Sequence, residues 1–114
     1  MNMLEPWRIT DEKVQAAIRR IVDTAHPVSV VLFGSYVRGQ IGPHSDVDML
    51  VVVGDDVVNC RREGVRIRRA LRGISMPFDI LVVRSKDLRT LSTTPGLIYA
   101  SVLKHGKIVY EKAA

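Results

Sequence analysis

Three aspartates and one Gly-Ser pair stand out in this 114-residue chain. Asp46 and Asp48 lie two apart in an apolar run, and on a strand that spacing sends both side chains from one face. Asp79 opens another apolar run beside Phe78, where an unpaired carboxylate is costly to bury. Grouped carboxylates repel one another, and a divalent cation relieves the repulsion. Mg²⁺ suits such oxygen ligands, taking one or two carboxylates together with waters and substrate phosphates. Gly34-Ser35 follows directly on a third apolar run and opens a helical turn. Glycine lets the backbone approach a ligand closely, the turn's first N–H groups attract anions, and the serine hydroxyl can bind a phosphate oxygen. The combination describes a nucleoside-triphosphate site. Its expected chemistry is in-line phosphoryl or nucleotidyl transfer, with two metals flanking the attacking and leaving oxygens.

The elements that carry these residues follow from periodicity. Thr10 reads as an N-cap, with Asp11 and Glu12 in the first turn where the helix dipole favours acids. Val14, Ala17, Ile18, Ile21, Val22 and Ala25 then form one apolar helix face, ended by Pro27. The residues before Thr10 read as an irregular arm, with Trp7 folded onto the body. Val28 to Phe33 reads as a buried strand, residues 36–39 as one helical turn, and residues 40–45 as a loop holding Gly42 and Pro43. Asp46 to Val53 is apolar on both faces beyond Asp48, which predicts a central strand. Gly54-Asp55-Asp56 reads as a turn and the start of a helix running to Arg72, with Gly73 as its C-cap. A third strand is expected over residues 77–83, a helix start at Ser85, a last helix from Pro95 to His105-Gly106, and a final strand over residues 107–110. The predicted class is α/β (α+β), a small mixed sheet flanked by helices, forming one domain over residues 1–114.

Composition narrows the function classes. Apolar residues make up 46% and charged residues 25%, ordinary for a globular chain. The net charge of +5 suggests acidic partners. The longest apolar runs fall well short of the ~20 residues that cross a bilayer, and the opening residues lack a signal peptide's basic and apolar regions. Cys60 stands alone and can form no internal disulfide. These features predict a soluble cytoplasmic protein without a membrane partner. Neither G-x-x-x-x-G-K-[ST] nor G-x-G-x-x-G occurs, which excludes the P-loop and Rossmann phosphate devices. With Gly-Ser after the first strand in place of an acidic pair, a receiver-type phosphoacceptor is also disfavoured.

Gly34-Ser35, ten intervening residues and Asp46-Val47-Asp48 together resemble the GS-x10-DxD signature of the minimal nucleotidyltransferases in the DNA polymerase β superfamily. The strings Leu32 to Gly39, Ser45 to Val51 and Phe78 to Val83 are similar to that family as well, so the resemblance spans residues 9–110. It implies a polymerase β-like core in which Asp46 and Asp48 bind two Mg²⁺ ions and Asp79 serves as ligand or base at the acceptor hydroxyl. It also implies ATP as substrate, with Gly34 and Ser35 holding its β- or γ-phosphate and Arg38 steadying the triphosphate or the loop. Minimal members are typically encoded with a helical HEPN protein, an RNase-like toxin, and silence it by AMP transfer to a tyrosine. The implied function is an antitoxin nucleotidyltransferase. The alternative is a catalytically weak or inactive module that neutralises a HEPN-type partner by binding alone.

The remaining polar residues have plainer expectations. Arg38 could instead pair with Asp46 or Asp48 and hold the metal-free site together. His44 is expected in solvent, His26 and His105 at helix ends, and Cys60 half-buried. Arg61, Arg62, Arg66, Arg68, Arg69 and Arg72 crowd one helix against a lone Glu63. That face is either a solvated surface or a docking surface, for an acidic protein or for nucleic acid. The chain has six aromatic residues and no RNP-like string, so base-stacking modules are disfavoured.

Overall fold

The computed structural model describes residues 7–113, so the expectation for the arm ahead of Trp7 lies outside the described residues. Helix α1 spans Asp11–Ala25, and the Thr10 hydroxyl accepts from the Lys13 amide at 3.2 Å as its N-cap. At its far end His26 takes a left-handed φ of 45° and donates its N–H to Val22 O before Pro27. Four strands follow, β1 Ser29–Phe33, β2 Val47–Val53, β3 Phe78–Arg84 and β4 Lys107–Glu111. They form one sheet in the order β3-β2-β1-β4. β1 runs antiparallel to both β2 and β4, and β3 runs parallel to β2, so the sheet is mixed as the sequence predicted.

Six of the seven β2 residues are buried, and Asp48 is the exception. Val47, Met49, Val51 and Val53 face one layer, where Val14, Ala17, Ile18 and Ile21 of α1 pack with Ile67 of α2 (Cys60–Ala70). Asp48, Leu50 and Val52 face the other way. There Leu50 and Val52 meet Val31, Val83, Leu88 and Leu91 of α3 (Ser85–Ser92), and Val102 of α4 (Tyr99–His105). Burying each large aliphatic side chain contributes about 1.5–3 kcal/mol, so both layers pin β2 in register. Register matters because a one-residue slip would turn Asp48 into the α1 layer.

Two helices depart from their expected bounds. α2 begins at Cys60, and Asn59 caps it by accepting from the Arg62 amide at 3.0 Å. Asp55, expected at that helix start, instead accepts from the Lys86 amide at 2.9 Å and thereby caps α3. α2 also ends at Ala70, and Gly73 (φ 93°) lies three residues beyond it. α4 starts at Tyr99 because Gly96, at φ 84°, breaks the helical path after Pro95. Trp7, expected against the body, is 57% exposed at the rim of a surface cleft with Ile41 and Pro43. Among the described residues no helix is long and apolar enough to cross a membrane.

Candidate active site

The residues singled out for chemistry gather at one end of β1, β2 and β3. β1 finishes at Phe33, whose register partner on β2 is Asp48. On the other side Asp48 is paired in register with Asp79 of β3. Neighbouring strands lie about 4.8 Å apart, so the parallel pairing sets the two carboxylates side by side on one face. Asp46 lies just ahead of β2, where the Val47 amide donates to Pro77 O at 3.0 Å. Asp46 and Asp79 are exposed and Asp48 is half-buried. Asp79 is open to solvent because β3 is an edge strand.

Gly34 closes the other wall. Its φ of 78° is left-handed, and a Cβ there would overlap Asp48 Oδ2. The glycine is required twice, by backbone and by space. Residues 35–39 then turn once, with the Arg38 amide donating to Gly34 O at 3.3 Å and the Gln40 amide to Ser35 O at 2.9 Å. The Tyr36 hydroxyl donates to Asp11 Oδ1 and ties the turn to the first turn of α1. Burial first, then that hydrogen bond and the Asp11 charge, push the Tyr36 phenol up to about 12.

Asp48 shows how crowded the negative charge is. Burial, then the charges of Asp79 and Asp46, raise its carboxyl above the ordinary value of 3.8, while Arg38 pulls it down. Arg38 forms no ion pair with either aspartate. Its Nε donates to Gln40 Oε1 at 3.2 Å, so the alternative in which Arg38 pairs with Asp46 or Asp48 is not the arrangement found. Among the described residues no three His, Cys, Asp or Glu side chains converge as a ready ligand shell. The Asp46, Asp48 and Asp79 carboxylates nonetheless fit a divalent cation by chemistry: they are hard oxygens, and the charges of Asp79 and Asp46 act against that of Asp48.

Above Asp48 lies a cleft of about 210 Å³, floored by Phe33, Gly34 and Asp48, with Arg38 at its side. Ile98, Ser101 and His105 of the α4 region form the opposite wall. The sequence offered no signal for this wall beyond placing His105 at a helix end. It is brought in by β4, whose register with β1 pairs Lys107 with Leu32. Gly106 permits that approach, since a Cβ there would lie 2.7 Å from the Val31 side chain. His44 is exposed and Cys60 half-buried, as expected.

The family model described as "Polymerase beta, Nucleotidyltransferase" matches residues 16–114. The chain belongs to the polymerase β nucleotidyltransferase family. A Methanocaldococcus jannaschii protein provisionally named a protein adenylyltransferase is 30% identical over 112 residues, covering 91% of this chain and 71% of its own length. A crystal structure of a provisionally assigned nucleotidyltransferase from Sulfolobus solfataricus superimposes with a TM-score of 0.59 at 17% identity, over 89% of this chain and 79% of that one. A toxin–antitoxin crystal structure with AMP-PNP gives a TM-score of 0.59 at 18% identity, over 91% and 75%. These two similarities establish the shared nucleotidyltransferase fold, with the acidic strand ends and the Gly-Ser turn as the features the family model spans.

Proposed function

We propose that this nucleotidyltransferase moves AMP from ATP to a hydroxyl on another protein, a tyrosine of a HEPN-type toxin, and so acts as an antitoxin, with residues 1–114 working as one domain. The observation that carries this reading is the register of Asp48 with Asp79 beside the Gly34 turn. It groups the carboxylates at the mouth of a cleft that Gly34, Asp48 and Arg38 line together. The relative named for protein adenylylation and the toxin–antitoxin neighbour support the same reading.

In this mechanism the Gly34-Ser35 turn holds the β- or γ-phosphate through its amides and the Ser35 hydroxyl. Arg38, charged and unpaired with any acid, balances the triphosphate. Asp46 and Asp48 would hold two Mg²⁺ ions, which when bound polarise the α-phosphate and neutralise the leaving pyrophosphate. Asp79 sits on the open edge, where an acceptor from solvent can reach it, and takes the proton from the attacking hydroxyl. The new bond joins the acceptor oxygen to the α-phosphorus, the bond to the bridging oxygen breaks, and pyrophosphate departs in line.

Incubation of a candidate HEPN-type partner with this protein, ATP and Mg²⁺, followed by intact-mass analysis, tests the reading. It predicts an added AMP group on the partner, absent without Mg²⁺ or with Asp48→Asn. A partner neutralised with no mass change would replace transfer by neutralisation through binding alone.

A further inference from the structure

The excess positive charge of the molecule is gathered on one helix. α2 carries five arginines and one glutamate, so four of the chain's five excess charges fall within eleven residues. Ile67 is fully buried, and Gly64 lies against the Val82 side chain of the sheet. The opposite face is solvent-facing: Arg61, Arg62, Val65, Arg66 and Arg69, with Asn59, line an open groove of about 530 Å³. Arg66 is held by Glu63 at 2.8 Å and by Thr24 O at 2.6 Å. Arg68 donates to Ile80 O at 3.2 Å. Among the described residues Arg61, Arg62 and Arg69 make no side-chain hydrogen bond or ion pair. Arginines three or four apart repel along a helix, and Arg61 and Arg62 in the first turn also oppose the helix dipole.

The groove has an apolar centre as well as a charged rim. Val65 is 45% exposed among the arginines, and Val58, just ahead of the helix, is 90% exposed. The groove carries no aromatic side chain on which an unpaired base could stack. Residues 61–69 extend about 12 Å along the axis, two turns of helix.

We infer that this α2 groove docks an acidic amphipathic helix of a protein partner, with its carboxylates on Arg61, Arg62 and Arg69 and its apolar stripe on Val65. α2 covers the sheet face opposite Asp48, so the docked helix leaves the nucleotide cleft open. The surface stands independently of the transfer chemistry.

The probe is a synthetic amphipathic helix with leucines on one face and glutamates on the other, compared with polyglutamate of equal charge and with a 20-base-pair DNA duplex. Binding is measured by fluorescence anisotropy across ionic strength. The Leu/Glu helix is expected to bind at least tenfold tighter than either competitor, and to weaken as salt rises. Arg61→Glu/Arg62→Glu/Arg69→Glu should lower that affinity at least tenfold, and Val65→Ser at least threefold. The triple Gln variant, which removes like-charge repulsion without reversing it, should show the same direction with α2 helicity intact by circular dichroism. Equal binding by polyglutamate, tighter binding by the duplex, or unchanged affinity in the Gln variant would each overturn the assignment.

Discussion

Gly34 and Asp48 are the most tightly constrained pair in the molecule. One sits at φ 78° with no room for a Cβ, and the other fills that room with its carboxylate. Gly34→Ala should cost about 1–3 kcal/mol, read as a lower denaturation midpoint in urea, because the strained backbone and the displaced carboxylate act together. A midpoint within error of wild type would mean that the two groups are not packed as described. Asp48 makes a prediction of opposite sign. Its raised carboxyl means that the metal-free folded state binds this proton more tightly than the unfolded chain does. That stabilisation is complete below the ordinary carboxylate value and is lost as pH rises through the raised one. Asp48→Asn, which cannot ionise, should therefore melt higher than wild type at neutral pH in EDTA, with the gap closing below pH ~4. A gap that persists unchanged in acid would contradict the electrostatic origin. Asp46 and Asp48 were legible from two-residue strand periodicity, and Gly34-Ser35 and Asp79 from their places at the ends of apolar runs together with the family resemblance. The exposure of Asp79 was not, since which strand lies at the edge is decided by pairing.

Among the elements, the Gly-Ser turn depends on a contact far away in sequence. Tyr36 reaches across to Asp11 in the first turn of α1, so the helix N-terminus steadies the nucleotide-facing loop. Tyr36→Phe removes that hydrogen bond, and the loss should lie at the lower end of about 0.5–1.5 kcal/mol because solvent competes at the site. Amide exchange should accelerate at residues 35–39 more than in the β2 core. Exchange that rises equally everywhere would show that the contact is a general stabiliser and not a brace for the turn. α1 was readable to the residue, because Thr10, the acidic first turn and Pro27 all agree. α2 was misplaced at its start for a local reason: Asp55 and Asn59 are both good caps, and only the fold assigns Asp55 to α3.

Taken whole, the protein divides its chemistry between two faces of one sheet. The acidic strand ends, the Gly-Ser turn and α4 share one side, while α1 and the arginine-bearing α2 cover the other. The central place of β2 could be read from its apolar faces. The closing of the cleft by His105 and Ser101 could not, because it depends on β4 returning to pair with β1, from Ser29 with Glu111 to Leu32 with Lys107. Such long-range pairing leaves no periodic trace. It also predicts that His105→Ala weakens nucleotide affinity modestly while leaving the melting temperature unchanged, since the side chain is exposed in the cleft wall and outside the core.

Calorimetric titration of ATP into the protein, with Mg²⁺ and with EDTA, puts the grouped carboxylates to the most direct test. Wild type should bind ATP in Mg²⁺ and lose most of that affinity in EDTA. Asp46→Asn, Asp48→Asn and Asp79→Asn should each be folded and bind ATP–Mg²⁺ at least about tenfold more weakly. ATP binding that ignores the metal, or that survives unchanged in all three variants, would contradict the site at the ends of β2 and β3.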